Sequence, residues 1–190
     1  MPSFGMHLAL TLFFIAACVK TEDVKLALFL IPLGLVCDLD SFFGVHRATL
    51  HNLFVLFVPV LFMVVLKRFK VTAIPDRYFF FATLLIAFHI LLDTFYNGVF
   101  LFYPLSDKSY DLEFWFGLKE TGLSLIFQWI VPGKVGELTY VVTPTPSVPE
   151  IAVLSGIEFV VLIFALLTFV LKFQESYSSS FLYQKLRIRK

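Results

Sequence analysis

The chain has 190 residues, of which 59% are apolar, 18% aromatic and 15% charged, and its formal net charge is +1. A soluble domain carries about a quarter charged residues, and 25 phenylalanines exceed what so small a soluble core can bury. The composition therefore predicts an integral membrane protein and excludes a strongly basic nucleic-acid-binding protein. Cys18 and Cys37 lie inside apolar runs, which favours two buried thiols over a disulfide or a metal-binding cysteine pair.

The first two apolar segments run from about Phe4 to Val19 and from Val24 to Cys37. No Lys or Arg precedes the first segment, so we expect a membrane helix and not a cleaved signal peptide, whose leading region is basic. The second segment is shorter than the roughly 17 to 20 residues that a full crossing needs. It is therefore expected to deliver Asp38 and Asp40 slightly below the membrane surface.

Three further membrane helices are predicted at Leu50 to Leu66, Tyr78 to Phe95 and Ile151 to Leu171. Asp111 to Val131 mixes charged residues with both tryptophans of the chain, which is typical of a segment lying in the membrane interface. The stretch 132–149 is rich in proline, valine and threonine and predicts an extended loop. The predicted fold class is all-α: a polytopic integral membrane protein with about five transmembrane helices, an interfacial segment and an extended loop before the last helix.

The distribution of basic residues predicts the orientation of the chain in the membrane. If successive loops alternate sides, eleven Lys and Arg residues fall on one side and four on the other. The positive-inside rule assigns the richer side to the cytoplasm, so the N-terminus lies outside the plasma membrane and the C-terminus inside. The predicted parts are a membrane-embedded core of four helices at 1–102, an extracytoplasmic interfacial segment and loop at 103–150, the last transmembrane helix at 151–171 and a cytoplasmic tail at 172–190.

Side chains that can bind a metal ion are concentrated in a few regions of the chain. Charged groups beside apolar runs are costly unless they pair or bind a metal. His89 and Asp93 are four residues apart and share a helix face, so together they can chelate one divalent ion. The predicted topology brings seven candidate metal ligands to the extracytoplasmic face: His7, Asp38, Asp40, His46, His51, His89 and Asp93.

Each part of this cluster also has a simpler interpretation when it is taken alone. His89 and Asp93 can form a buried ion pair that joins helices. Asp38 and Asp40 can be solvated carboxylates in a turn that ends a helix, and Arg47 can extend toward lipid headgroups. Seven ligand-type residues from four chain regions at one membrane face favour a metal site over these separate interpretations.

Metal-assisted hydrolysis is the reaction that this set of residues best supports, with Zn²⁺ favoured by the four histidines. Asp40 is the candidate general base, although it is also a candidate ligand. Arg47 is the candidate clamp for an anionic group of the substrate, because a guanidinium binds phosphate or carboxylate with two hydrogen bonds. The sequence carries no serine nucleophile elbow, phosphate-binding loop or dinucleotide-binding fingerprint.

Four blocks of this sequence resemble those of the YdjM-like predicted membrane-bound metal-dependent hydrolases. The resemblance covers roughly the first 110 residues and implies a metal site and hydrolase activity. Small neighbours of the ligand-type residues differ from the family pattern at Ser41, Ala48, Leu50 and Asn52. The four blocks are Cys37-Asp38-Leu39-Asp40-Ser41, His46-Arg47-Ala48-Thr49-Leu50-His51-Asn52, His89-Ile90-Leu91-Leu92-Asp93 and Pro104-Leu105-Ser106.

The sequence therefore predicts a membrane-bound metal-dependent hydrolase that acts on a phosphoester or lipid-like substrate at the extracytoplasmic face. The alternative is a non-catalytic metal-binding or structural membrane protein. The membrane phosphatidic-acid phosphatases share an HxxxD motif, but Thr83 stands where they carry an arginine. A metal transporter is disfavoured because the ligands stop at one face. The expected partners are the lipid bilayer and a lipid or phosphoester substrate, with no nucleic acid, and the oligomeric state is left open.

Overall fold

The structure is a computed structural model that describes residues 4–43, 45–71, 74–95, 98–119, 122–131, 133–135 and 155–187. Within these ranges the chain is mostly helical. Short 3₁₀ turns at Cys37–Leu39 and Leu53–Leu56 connect some of the elements. The elements are α1 (Phe4–Cys18), α2 (Val24–Leu33), α3 (Asp40–Phe43), α4 (Phe57–Arg68), α5 (Asp76–Thr94), β1 (Asp111–Lys119), β2 (Gly122–Ile130) and α6 (Gly156–Arg187).

The five predicted membrane segments coincide with α1, α2, α4, α5 and α6, so their helical character is confirmed. Two helical stretches, Asp76–Thr94 and Gly156–Gln174, are long and apolar enough to cross a membrane, and α1 is a shorter apolar helix. Five crossings therefore remain a prediction. The membrane-type surface is evident on α4, where none of the residues is buried and most are large and apolar.

Local sequence signals explain why several helices begin or end away from their predicted limits. Pro32, which lacks a backbone N–H, lies in the last turn of α2, and this helix ends before Cys37. Asn52 caps the next helical stretch by accepting hydrogen bonds from Phe54 N and Val55 N, so the third segment begins after Asn52. Each shift lengthens the connection between α2 and α4, which contains the candidate ligands Asp38, Asp40, His46 and His51.

The last helix begins later and ends later than predicted. Ser155 and Glu158 form a capping box: Glu158 N donates to Ser155 Oγ (3.4 Å) and Ser155 N donates to Glu158 Oε2 (2.6 Å). This motif places the helix start at Gly156, and α6 then continues to Arg187 through most of the predicted tail. The predicted start at Ile151 and nearly all of the predicted extended loop lie outside the described residues.

Helix α1 lies at the centre of the helical packing, where it contacts α2, α5 and α6. Gly34, just after α2, lies so close to α1 that a Cβ atom there would stand 2.1 Å from Thr11 Oγ1. Near the C-terminal end of α1, the Lys172 ammonium of α6 donates to the Ala16 carbonyl. The buried core between the helices includes Ala9, Leu12, Ile15, Leu26, Leu30, Leu85, Ala165 and Phe169.

The prediction of an all-α fold is wrong for the segment expected to lie in the interface. Strands β1 and β2 pair antiparallel, with Asp111 opposite Ile130 and Lys119 opposite Gly122. The underlying pattern is an alternation of apolar and other residues with period two, which favours a strand. Trp115 stands at a position that the alternation would make polar, and this obscures the pattern in the sequence.

Candidate metal centre

Residues from four parts of the chain meet at one end of the helical bundle. His7 comes from the first turn of α1, and Asp38 from the 3₁₀ turn after α2. The connection between α3 and α4 supplies His51, and α5 supplies His89 and Asp93. Apart from Asp38 and His46, all of the predicted ligands are buried. The sequence-predicted site residues are therefore brought together in space.

The centre of the cluster is formed by the Nε2 atoms of His51 and His89, which lie 3.3 Å apart. Asp93 Oδ2 is 3.0 Å from His51 Nε2 and 3.8 Å from His89 Nε2. Asp38 Oδ1 is 3.8 Å from His51 Nε2 and 3.5 Å from His89 Nε2. Ligand atoms around a tetrahedral zinc ion are separated by about 3.3 Å, given bonds of about 2.0–2.1 Å. These distances fit one small divalent ion between the four side chains.

Two further observations agree with a cation at this position. Asp38 Oδ2 is buried without a hydrogen-bond partner in the structure, although a carboxylate oxygen away from water ordinarily has one. Burial by itself would lower the pKa of His51, but the neighbouring carboxylates of Asp38, Asp40 and Asp93 raise the pKa to about 10. The carboxylates thus create a strong preference for positive charge, which a divalent metal ion satisfies.

His89 is oriented by a backbone carbonyl just after α2. Its Nδ1 lies 2.8 Å from the Gly34 carbonyl oxygen, so Nδ1 carries the proton and donates it. The unprotonated Nε2 then faces His51 and the two carboxylates, as a metal ligand must. Sequence reasoning misses Gly34, because a backbone carbonyl leaves no signature in the side-chain pattern. The available signal is a glycine at the end of an apolar segment, just before the Asp38 turn.

Asp40 orients His51 in the same way. The Asp40 side chain is fully buried, and its Oδ2 lies 2.8 Å from His51 Nδ1 and accepts from Leu50 N at 3.2 Å. Its Oδ1 lies 2.8 Å from His46 Nδ1. Burial opposes ionisation of Asp40, yet these hydrogen bonds from His46 and His51 hold the pKa of the carboxyl at about 2. Both oxygens are therefore engaged with other residues, unlike the free carboxylate expected of a general base.

The ligand atoms can also be grouped as two metal sites. Ligand atoms of His7, Asp38, His89 and Asp93 lie within 4.8 Å of one another, as do those of Asp40, His46 and His51. In the second group, however, both contacts of Asp40 with the histidines are 2.8 Å, which is the length of a hydrogen bond and short for two ligands of one ion. The geometry therefore favours a metal held by Asp38, His89 and Asp93 of the first group together with His51 of the second.

His7 contacts this centre from α1. Its Nε2 is 3.2 Å from Asp93 Oδ1, which is the oxygen of Asp93 that does not face His51. Its ring stacks on the His89 ring with a centroid separation of 4.1 Å and an interplanar angle of 13°. His7 therefore positions both the carboxylate and the imidazole that α5 contributes.

Arg47 is buried, and this differs from the expected anion clamp, whose guanidinium would face a substrate. Its Nη1 donates to the Gly98 carbonyl at 3.1 Å and to the Asp93 carbonyl at 3.5 Å. Its Nη2 lies 3.6 Å from Asp93 Oδ1. Arg47 has a φ of 64°, a left-handed backbone conformation that is uncommon for residues other than glycine. The side chain thus fixes the end of α5 and the Asp93 carboxylate.

A family model described as YdjM inner membrane protein matches residues 1–177 of the chain, which include the whole cluster and the β-hairpin. Neither the curated proteins nor the solved structures contain a match.

Proposed function

The chain belongs to the YdjM inner membrane protein family, and we propose that it is a membrane-bound metal-dependent hydrolase with its site at the extracytoplasmic face. The observation that carries the proposal is that the Nε2 atoms of His51 and His89 lie 3.3 Å apart and that the Asp38 and Asp93 carboxylates each approach both of them to 3.0–3.8 Å. The orientation rests on the distribution of basic residues between the predicted loops.

The proposed ligands are Asp38, His51, His89 and Asp93, and the proposed ion is Zn²⁺ because imidazole and carboxylate ligands with tetrahedral spacing suit it. Such an ion supplies Lewis-acid activation of water and of an ester oxygen. The residues around the ligands hold them in place: Asp40 orients His51, and His7 and Arg47 orient Asp93. Outer contacts of this kind are needed for full metal affinity.

Asp38 is the proposed site of proton transfer. Its side chain is 21% exposed, whereas those of Asp40 and Asp93 are 0% and 2% exposed. Asp38 therefore has the most exposed side chain of the three, and its Oδ2, although buried, has no hydrogen-bond partner in the structure. It can therefore accept a proton from attacking water while its other oxygen faces the two imidazoles.

The proposed substrates are lipid phosphoesters or acyl esters, because the predicted site lies at the depth of the lipid headgroups. The second candidate function is a metal-holding structural protein. One observation favours it: four protein ligands complete a tetrahedral site, as in structural zinc sites, whereas catalytic sites keep one position open. The two candidate functions differ in the role of Asp38. In the structural protein Asp38 would stay bound to the metal ion, whereas in the hydrolase it would leave one coordination position open for water.

Elemental analysis of the membrane-purified protein, prepared without a polyhistidine tag, tests the metal site. We expect about one divalent ion per chain. The double variant His89→Ala, Asp93→Ala should lose it, and Asp76→Ala, which removes a carboxylate from the other end of α5, should retain it. Unchanged metal content in the double variant would refute the site.

Hydrolysis assays then separate the two functions. Metal-loaded protein in detergent is incubated with a panel of lipid phosphoesters and acyl esters, and chelator-treated protein serves as the control. An enzyme should cleave a member of the panel only when it is loaded, and Asp38→Asn should lower that turnover more than it lowers metal content. Full metal occupancy without turnover of any member would favour the metal-holding structural protein.

A further inference from the structure

The β-hairpin has two chemically different faces, which follow from its register. Residues directly opposite each other in an antiparallel pair lie on the same face, and successive residues alternate between faces. The pairs Leu112–Trp129, Phe114–Phe127 and Phe116–Leu125 therefore share one face, which is apolar throughout. The pairs Asp111–Ile130, Glu113–Gln128 and Gly117–Ser124 share the other face, together with Trp115 and Ile126. We call these the apolar face and the polar face.

The apolar face is exposed over most of its length. Leu112 is buried at the base of the hairpin, whereas Phe116, Leu125 and Phe127 are each 64–67% exposed. On the polar face, Gln128 Nε2 donates to Glu113 Oε2 at 2.9 Å. Large exposed apolar patches mark surfaces that contact other molecules or a membrane, and an isolated two-stranded hairpin is marginally stable in water.

The base of the hairpin joins it to the candidate metal centre. Val99 and Tyr110 exchange two backbone hydrogen bonds of 2.9 and 2.8 Å, immediately before β1. The neighbouring Gly98 carbonyl accepts from Arg47. Phe102 lies in the connection between α5 and β1, and its half-exposed ring contacts the Tyr110 ring at a centroid distance of 5.4 Å. This connection therefore adds exposed apolar surface next to the base of the hairpin. The hairpin thus lies on the same side of the helical bundle as the metal centre.

The open edges of the hairpin exclude a position across the hydrocarbon core. Both edges of a two-stranded ribbon present unpaired backbone N–H and C=O groups, which are not tolerated in hydrocarbon. The charged residues of the polar face would also enter the core if the hairpin crossed it. If the hairpin lies parallel to the membrane surface, the aromatic and aliphatic side chains of its apolar face enter the leaflet, and the polar groups of its other face stay in water.

We propose that the hairpin binds the surface of the phospholipid bilayer, with its apolar face embedded in the leaflet on the side of the metal centre. The apolar face is then covered by acyl chains, and the polar face borders the aqueous phase. This binding holds the connection between α5 and the hairpin, and with it Arg47, at headgroup depth. The inference rests on the hairpin register and on the membrane family, and it does not depend on hydrolysis by the metal centre.

Tryptophan fluorescence tests the arrangement, because the only two tryptophans of the chain lie on opposite faces. The first pair of variants leaves one native tryptophan each: Trp115→Phe keeps Trp129, and Trp129→Phe keeps Trp115. The full-length protein is reconstituted into phosphatidylcholine vesicles with or without bromine on the acyl chains. We expect bromolipid to quench Trp129 and water-soluble acrylamide to quench Trp115.

Trp115 and Trp129 also differ in their distance from the base of the hairpin, and a second pair of variants removes this difference. In the background Trp115→Phe, Trp129→Phe, the adjacent positions receive a tryptophan separately, as Leu125→Trp on the apolar face and Ile126→Trp on the polar face. Emission of the first variant should fall about twofold with bromolipid, because an interfacial element inserts about 5–10 Å. Emission of the second should change little with bromolipid and should be quenched by acrylamide.

Each other outcome overturns the proposal. Equal bromolipid quenching at adjacent positions would mean that the hairpin does not have one embedded face. Acrylamide quenching at both positions would place the whole hairpin in water. Protection of Leu125→Trp from both quenchers would show that protein covers the apolar face, either a second copy or another segment of this chain.

Discussion

Replacing Gly34 by alanine perturbs the metal centre through the backbone, without removing any proposed ligand. The new Cβ would lie 2.1 Å from Thr11 Oγ1, 2.4 Å from Thr11 Cγ2 and 2.8 Å from Thr11 Cβ. The first of these contacts is about 1.3 Å short of the 3.4 Å at which ordinary contact begins. Rotation of the Thr11 side chain does not relieve the contact with its own Cβ, so α1 and the end of α2 must separate.

The separation acts on His89, whose Nδ1 lies 2.8 Å from the Gly34 carbonyl oxygen. A displacement of about 1 Å lengthens this contact beyond the range of a hydrogen bond. Loss of such an outer partner lowers metal affinity about 10- to 100-fold, or about 1.4–2.7 kcal/mol. The overpacking itself costs a further 1–3 kcal/mol, roughly, of folding stability.

The assay is chelator competition for Zn²⁺ on purified protein, together with a thermal unfolding curve. Gly117→Ala is the matched control, because a Cβ there meets no atom within 4 Å. The double variant Gly34→Ala, Thr11→Ala should recover part of the affinity, since it removes the two closest contacts. Wild-type affinity in Gly34→Ala would refute the role of this carbonyl, and so would an equal loss in Gly117→Ala.

Three more predictions follow from the same geometry and from the predicted topology. Asp40→Asn removes the charge that orients His51, so metal affinity should fall about 10- to 100-fold in the same competition assay, and an unchanged affinity would contradict that role. Arg47→Ala should lower both metal affinity and melting temperature, because the Gly98 and Asp93 carbonyls lose the hydrogen bonds that the buried guanidinium donates. Loss of turnover with unchanged metal content and stability would instead support the role of Arg47 as a clamp for an anionic substrate, as predicted from the sequence. In a background lacking Cys18 and Cys37, a membrane-impermeant thiol reagent added outside should label Lys134→Cys and spare Lys70→Cys, and the reverse pattern would place the site in the cytoplasm.

The sequence predicts which residues meet better than it predicts what each of them does. The clustering follows from physical cost, because histidines and carboxylates beside apolar helices need one another or a metal. The separate roles of Asp38 and Asp40 depend on side-chain direction within a tight turn. Two residues apart in a helical turn, they point in widely different directions, so Asp38 faces His89 while Asp40 lies behind His51.

The hairpin shows a different limit of sequence reasoning. Its alternation is clear once the pairs Phe114–Phe127 and Phe116–Leu125 are seen together, but in the sequence of β1 alone Trp115 joins Phe114 and Phe116 into a short apolar run. Such short apolar runs do not distinguish strand from helix by period alone. Pairing supplies the missing information, and pairing is a property of the folded chain.

The packing of α1 against α6 has a consequence for the biogenesis of this protein. His7 is carried by α1, and the buried face of α1 is completed by Ala165 and Phe169 of α6 and by the contact of Lys172 with the Ala16 carbonyl. Translation delivers α6 after every residue of the centre has already left the ribosome. Helix α1 is therefore inserted into the bilayer before α6 is available to pack against it. We expect the imidazole of His7 to take its final position against Asp93 only after α6 has packed against α1. At the proposed metal centre, full affinity for the ion is therefore expected only after α6 has been inserted.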